Sequence, residues 1–389
     1  MTLKKKLVPS IRFPKFKKEW ERKKLNQFLT HSKKKNKDLE FDKSEVLSVA
    51  AEAGVVNQIE YHGRSYAGAS VAPYGIVRKG ELVYTKSPLK AYPYGIIKLN
   101  ESKDGIVSTL YAIYKVKESA NGKFLDYYFY HKPRINRYLK PLVNIGAKND
   151  MKINNEYVIS DFVTIPNYEE QQKITSFLTA IDSYIQQLTR KVKLLEQYKK
   201  GVMHQVFSQQ IRFKNDNGKE FPDWEDKRLG EIALKKSSSV TANSIEYNNG
   251  EYKIYGATGL LTFVDFYNEE QSYISIVKDG AGVGRVLICD AKSSVLGTLD
   301  IIQHKKGNNL KFLFYSLNNL KFRRYITGST IPHIYFKDYS KEKIKVPSLS
   351  EQEKIASFLA TVDEKISLTR KQLDKMQTYK RGLLQQMFV

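Results

Sequence analysis

Residues 165–178 read Ile165-Pro166-Asn167-Tyr168-Glu169-Glu170-Gln171-Gln172-Lys173-Ile174-Thr175-Ser176-Phe177-Leu178. Residues 346–359 read Val346-Pro347-Ser348-Leu349-Ser350-Glu351-Gln352-Glu353-Lys354-Ile355-Ala356-Ser357-Phe358-Leu359. Sliding 165–208 onto 346–389, a shift of 181 without gaps, leaves 15 of 44 positions identical. Further on, Tyr198-Lys199-Lys200-Gly201 matches Tyr379-Lys380-Arg381-Gly382, and Gln205-Val206-Phe207 matches Gln386-Met387-Phe388. The chain is written twice.

Each copy predicts one long helix. A proline is followed by a capping-box pattern, Asn167 to Glu170 and Ser348 to Glu351. Apolar residues then recur at steps of three or four: Ile174, Phe177, Ile181, Ile185, Leu188, Val192, Leu195, Tyr198, Val202 and Val206. The second copy has Ile355, Phe358, Val362, Ile366, Thr369, Leu373, Met376, Tyr379, Leu383 and Met387 at the same places, with Thr369 alone polar. Such a seam needs a partner, and the other copy supplies one. Symmetry favours an antiparallel pair. About 39 residues at 1.5 Å each make a rod of roughly 60 Å.

Working outward, Trp20-Glu21-Arg22-Lys23-Lys24-Leu25 resembles Trp224-Glu225-Asp226-Lys227-Arg228-Leu229, with Phe13-Pro14 and Phe221-Pro222 upstream. Between these anchors and the helices, residues 26–165 and 230–346 show little alignable similarity. Both regions read as mixed α/β. Short strands are expected at Val83-Tyr84, Ile96–Leu99, Ala112–Val116, Ile274–Val277 and Val286–Ile288. Aromatic-rich helices are expected over Phe124–Tyr138 and Leu310–Tyr325. Each region closes with a Gly-containing polar loop and a strand, Phe162–Ile165 or Lys343–Val346. The fold class is therefore α/β (α+β) with an internal pseudo-two-fold. The expected parts are 1–165, a first mixed domain; 166–208, the first spacer helix; 209–222, a linker; 223–346, a second mixed domain; and 347–389, the second spacer helix.

The chain has 65 Lys and Arg against 41 Asp and Glu, a formal charge of +24 over 389 residues. An excess of this size points to a polyanion, most often nucleic acid. The 41% hydrophobic content is enough for folded cores. One cysteine, Cys289, fits a reducing cytoplasm and a buried inert thiol. Lys4, Lys5 and Lys6 precede no apolar signal-peptide core, and no stretch approaches a membrane span.

No catalytic motif stands out. Gly280-Ala281-Gly282-Val283-Gly284 runs into strand-like Arg285-Val286-Leu287-Ile288, so a tight turn is expected rather than a phosphate loop. Pro222-Asp223-Trp224-Glu225-Asp226-Lys227 crowds its acids into one segment, which suits a structural anchor better than a nuclease centre. The six histidines show no metal-ligand spacing.

Two variable domains, each ending in a Pro-(x)n-Glu-Gln-x-Lys-Ile-x-Ser-Phe-Leu helix, resemble the specificity subunits of type I restriction-modification systems. The resemblance covers essentially the whole chain. It rests on Pro166 with Glu170–Ile174, Pro347 with Glu351–Ile355, and the two Trp anchors. It implies two target recognition domains, each reading half of a split double-stranded DNA site. It implies helices that set the spacing and dock two methyltransferase subunits. It places S-adenosylmethionine in those partners, and ATP and magnesium with a separate restriction and motor subunit. It makes this chain non-catalytic, with no cofactor or metal of its own.

Candidates for DNA readout are the turn and closing-loop residues Lys86, Lys148, Asn149, Lys278, Arg285, Thr330 and His333. The helix interface is expected at Ile174, Phe177, Ile181, Ile185, Val192 and Leu195 against Ile355, Phe358, Val362, Ile366, Leu373 and Met376. A rigid rod further predicts that four residues inserted after Tyr198 move the attached segment by about 6 Å. The half-sites would then part by one or two base pairs. Two other classes compete: a stand-alone nuclease or methyltransferase, and a basic structural coiled-coil protein.

Overall fold

A computed structural model describes residues 7–89, 91–145 and 151–389 of the chain. They form two compact units. The first runs to Gln187 and includes Gln372–Val389; the second is Leu188–Lys371. The two long helices are Tyr168–Phe207 and Leu349–Gln386. Each begins in one unit and ends in the other.

Within each unit, one helix's opening turns lie against the other helix's closing turns, antiparallel. In the first unit Ile174 and Ile181 are buried in one core with Leu383, Leu384, Met387 and Phe388, and Phe177, Ile185 and Met376 pack at its edge. In the second, Ile355 and Leu359 share a core with Met203 and Val206, with Phe358 at its edge. Val362, Ile366 and Leu188 are buried, while Val192, Leu195 and Leu373 are half-buried. Thr369 is buried as well, and its hydroxyl donates to Lys365 O at 2.7 Å. Back-bonding to the preceding turn lets a hydroxyl sit in an apolar seam without an unmet partner.

The seam departs from expectation at two places. Tyr198 and Tyr379 are about half exposed, at 51% and 52%. An ideal helix drifts by about 20° per heptad against a 3.5-residue repeat. By this point the neighbouring Lys199 and Lys380 have turned inward instead, each to an aspartate of the opposite helix. Ile185 lies in a thinner part of the seam than Ile174. Ile185→Asp is therefore expected to destabilise the chain by about 1–3 kcal/mol, in the ordinary range for a half-buried site. Urea titration of the variant checks this, and a loss above that range would mean a tighter seam than these contacts show.

The anchors explain themselves through the closing strands. Glu21–Lys24 pairs antiparallel with Phe162–Ile165, Glu21 opposite Ile165. Glu225–Arg228 pairs likewise with Lys343–Val346, Glu225 opposite Val346. Trp20 and Trp224 stand just before these strands and are buried. Anchor and closing strand thus clip the two ends of each variable region together at the foot of a long helix.

A buried clamp fixes each clip to its helix. Arg12 Nε and Nη2 donate to Glu170 Oε1 and Oε2, both at 2.7 Å, and Trp20 Nε1 donates to Oε1 at 3.3 Å. Arg212 Nη2 and Nε donate to Glu351 Oε2 and Oε1 at 2.9 and 3.4 Å. Glu170 and Glu351 are almost fully buried. The first capping box is therefore only half formed and the second is not formed. Asn167 Oδ1 accepts from Glu170 N at 2.9 Å, but Glu170's carboxylate is taken by Arg12. Ser348 Oγ is buried with no partner. The next residue binds the domain: Gln171 and Gln352 accept through Oε1 from Asn121 N and Asn309 N, each at 2.9 Å.

The two variable regions share one frame despite their unalignable sequences. The first holds an antiparallel sheet in the order Leu29–His31, Tyr111–Val116, Leu82–Thr85, Ile97–Leu99. The second holds Ala233–Ser237, Leu299–His304, Tyr273–Val277, Val286–Cys289 in the corresponding order. A helix follows each sheet, Gly122–Tyr130 or Leu310–Asn319, N-capped by Asn121 or Asn309. The expected helix Phe124–Tyr138 is split, with His131 extended and a second helix at Lys132–Leu139. Pro133 is the cause, because its ring would meet the Phe129 carbonyl of a continuous helix. The expected helix Leu310–Tyr325 is also shorter, its end a separate 3-10 turn at Phe322–Tyr325.

Candidate nucleic-acid interface

In the second unit three loops meet at the end of the sheet. Lys278 follows the strand Tyr273–Val277, and the loop to Arg285 is the expected glycine turn. Gly280, Gly282 and Gly284 all have positive φ, and a Cβ on Gly284 would come within 2.6 Å of Phe322 Cβ. The closing loop folds on itself, Thr327 N donating to His333 O at 2.9 Å and His333 N to Thr327 O at 2.8 Å. Gly328 allows this hairpin: its φ is +87°, and a Cβ there would lie 2.4 Å from Ile331 O. The two loops are stitched together by Gly280 N to Pro332 O and Ile334 N to Lys278 O, both 2.9 Å. Arg285 Nη1 adds the third loop by donating to Ala257 O at 2.6 Å.

Lys278, Arg285, Thr330 and His333 thus fall on adjoining loops. Arg285 and Thr330 are exposed, Lys278 and His333 half-buried. Lys278 Nζ lies 3.7 Å, and Lys235 Nζ 3.5 Å, from Oδ1 of buried Asp300. Burial pushes the Asp300 carboxyl above its ordinary range, and the two ammoniums oppose that rise. Sequence reasoning missed three neighbours. Ile331 is 63% exposed at the loop tip, Tyr335 packs edge-on to His333 at 4.9 Å, and Lys337 stands over the Tyr335 ring. The signal available was an isoleucine inside a Gly-Ser-Thr-Pro turn, followed by aromatics and a base.

In the first unit Lys86 follows Leu82–Thr85 as Lys278 follows Tyr273–Val277. Both also donate their backbone N–H just before the next strand in the sheet, Lys86 to Leu110 O and Lys278 to Thr298 O. Their tethers differ. Lys86 Nζ donates to Asn155 Oδ1 at 3.1 Å, and Asn155 Nδ2 meets His31 Nε2 at 3.1 Å. Burial above all holds His31 below its ordinary pKa, and Lys33, Lys35 and Lys86 add to that. A neutral His31 accepts from Asn155. Burial, helped by Lys35, also lowers the Lys86 ammonium's pKa. Lys148 and Asn149 lie outside the described residues.

Cys289 is buried beside Ser275, 3.3 Å away, and burial pushes its thiol up to about 11. A thiol so placed is a poor nucleophile. Among the described residues no group of three or more His, Cys, Asp or Glu side chains is placed to hold a metal ion. Among the same residues no helix is long and apolar enough to cross a membrane.

Comparison with known proteins bears on this geometry. Residues 222–378 match the model of the type I restriction modification DNA specificity domain. A Methanocaldococcus jannaschii chain provisionally named type I restriction enzyme MjaX specificity subunit is 28% identical over 258 residues, 61% of each chain. The MjaVIII specificity subunit of the same organism is 28% identical over 199 residues, 47% of this chain and 46% of that one. The matched segment thus spans under two thirds of these relatives. The crystal structure of a type I restriction-modification S subunit from M. genitalium superposes with a TM-score of 0.66. It covers 98% of this chain and 99% of its own at 15% identity, a likeness of fold.

Proposed function

We propose that the chain is a specificity protein of the type I restriction-modification kind and that it reads a bipartite double-stranded DNA target. Each variable domain takes one half-site. The observation that carries this reading is one frame built twice with different loops. Clips, clamps, sheet order and the lysine at one strand end repeat, while the loops around Lys86 and Lys278 do not. A constant frame with variable loops is how two independent readers are made.

Phosphate contacts by the basic loops would supply affinity, and base-edge contacts the sequence choice. Lys86, Lys148 and Asn149 serve the first half-site in this reading; Lys278, Arg285, Thr330 and His333 serve the second. Exposed Ile331 has the character of a side chain that wedges against bases. The chain itself carries out no chemistry. Two methyltransferase subunits bound to it hold S-adenosylmethionine, and restriction and motor subunits use ATP and magnesium. The complex works in the cytoplasm.

The test is an exchange of residues 26–165 for the corresponding region of another specificity protein, expressed with the partner subunits. Single-molecule sequencing of methylated adenines reports the target. One half of the methylated site is expected to change and the other to stay. A change in both halves would sink independent reading.

A further inference from the structure

Asp182 and Asp363 occupy one place in the repeat, and Lys199 and Lys380 another, 17 residues further along each copy. The fold pairs them crosswise. Lys380 Nζ meets Asp182 Oδ1 at 2.5 Å in the first unit, and Lys199 Nζ meets Asp363 Oδ1 at 2.6 Å in the second. The other carboxylate oxygen is taken from the domain side. Tyr127 OH donates to Asp182 Oδ2 at 2.7 Å, and Tyr315 OH to Asp363 Oδ2 at 2.8 Å. Each lysine also stands over its tyrosine ring, Lys380 at 5.6 Å and Lys199 at 5.3 Å. Three elements therefore close on one carboxylate: a long helix, the end of the opposite helix, and the helix that backs the domain's sheet.

Tyr127 lies on Gly122–Tyr130 and Tyr315 on Leu310–Asn319, whose first turns are already fixed by Gln171 and Gln352. The second fixing point is 11 residues along the long helix, about 16 Å away. The clamp and the shared core hold the domain's foot by non-directional packing and one buried pair; the clasp adds a directional strut from the opposite helix further along. The clasps are partly exposed, with side-chain exposures of 16% and 23% in the first and 23% and 38% in the second. Ion pairs so placed contribute little to stability. Their appearance in both units, in the same crossed pattern, calls for another role.

We propose that Asp182, Lys380 and Tyr127, and their counterparts Asp363, Lys199 and Tyr315, are positioning residues that fix each recognition domain's rotation on the helices and so hold the two half-sites to one spacing. This rests on the bipartite reading above. It concerns the gap between the half-sequences, not their identity.

The experiment uses the full chain expressed with its partner subunits, with methylated adenines mapped by single-molecule sequencing and melting measured on each purified protein. The unaltered chain is the check on the functional reading: no methylation, or a target without a gap, would remove that reading itself. Given a gapped target, Lys380→Gln, Lys199→Gln and Tyr127→Phe are expected to keep both half-sequences. They should methylate sites with a gap one base pair longer or shorter about fivefold more often, relative to native sites, than the unaltered chain does. Lys380→Arg, which keeps the charge, should stay strict. A strict gap with undiminished methylation in all three variants would overturn the proposal. So would methylation that falls only in step with melting temperature, without relaxed spacing.

Discussion

Replacing Glu170 by alanine is expected to destabilise the first unit by about 3–5 kcal/mol, the cost of leaving one partner of a buried ion pair unmatched. For a unit of this size the melting temperature should fall on the order of 10 °C. Arg12 is the reason. Its side chain is only 11% exposed, and its main partner is the Glu170 carboxylate, whose hydrogen bonds raise the guanidinium's pKa further. Without that carboxylate the guanidinium keeps, among the described residues, only Lys18 O, to which Nη2 donates at 2.6 Å, amid several lysines, and Trp20 Nε1 loses its acceptor too. Glu351→Ala should cost less, because Arg212 is 23% exposed and can turn toward water. The double replacement Arg12→Leu with Glu170→Leu should recover much of the loss, since an apolar pair leaves no charge unpaired. Thermal melting of the full chain measures all three. An unchanged transition in Glu170→Ala would mean that the clamp does not hold the clip to the helix.

This clamp was in the sequence but hard to see there. Ile11-Arg12-Phe13 recurs as Ile211-Arg212-Phe213, a shift of 200, between the shifts of 204 at the Trp anchors and 181 along the helices. A tripeptide at a third spacing carries little weight until Glu170 and Glu351 are seen facing both arginines. The same holds for Phe13, set beside Phe221 on the strength of Phe-Pro. In the fold Phe13 packs on Phe177 as Phe213 packs on Phe358. The long helices and closing strands were legible because period, caps and strand composition are local signals. The common sheet order was not, because strand pairing joins residues far apart and loops of unequal length hide the match. Lys86 and Lys278 could be chosen as turn-side bases, but their shared place at the end of equivalent strands appears only with the registers. The partners that hold them, Asn155 and Asp300, leave no sequence signal at all.

Two residues inserted after Tyr198 are expected to unfold the second unit's helix interface and abolish methylation. The insertion turns everything beyond it by about 200° and advances it by about 3 Å. Lys199 then leaves Asp363, Phe207 leaves the Phe312 ring 5.8 Å away, and Met203 and Val206 leave the core. Losing buried aliphatic side chains costs about 2–5 kcal/mol for each large one. The sum approaches the whole stability of an ordinary domain, about 5–15 kcal/mol. A four-residue insertion at the same point nearly restores the facing, yet it still moves each docked residue by a turn against an opposite helix that has not grown. The simple shift of half-sites expected from a free rod is thus replaced by weakened packing, because Tyr198 borders the docked segment. Lengthening has to be matched. Four residues after Gln187 and four after Lys371, where both helices cross between the units, leave every contact within either unit in place. That double insertion should fold, melt normally and widen the gap by one or two base pairs, about 6 Å of helix against 3.4 Å per base pair. Mapping methylated adenines for the three variants gives the answer. Full activity in the two-residue variant, or an unmoved gap in an active matched variant, would show that the helices do not measure the DNA.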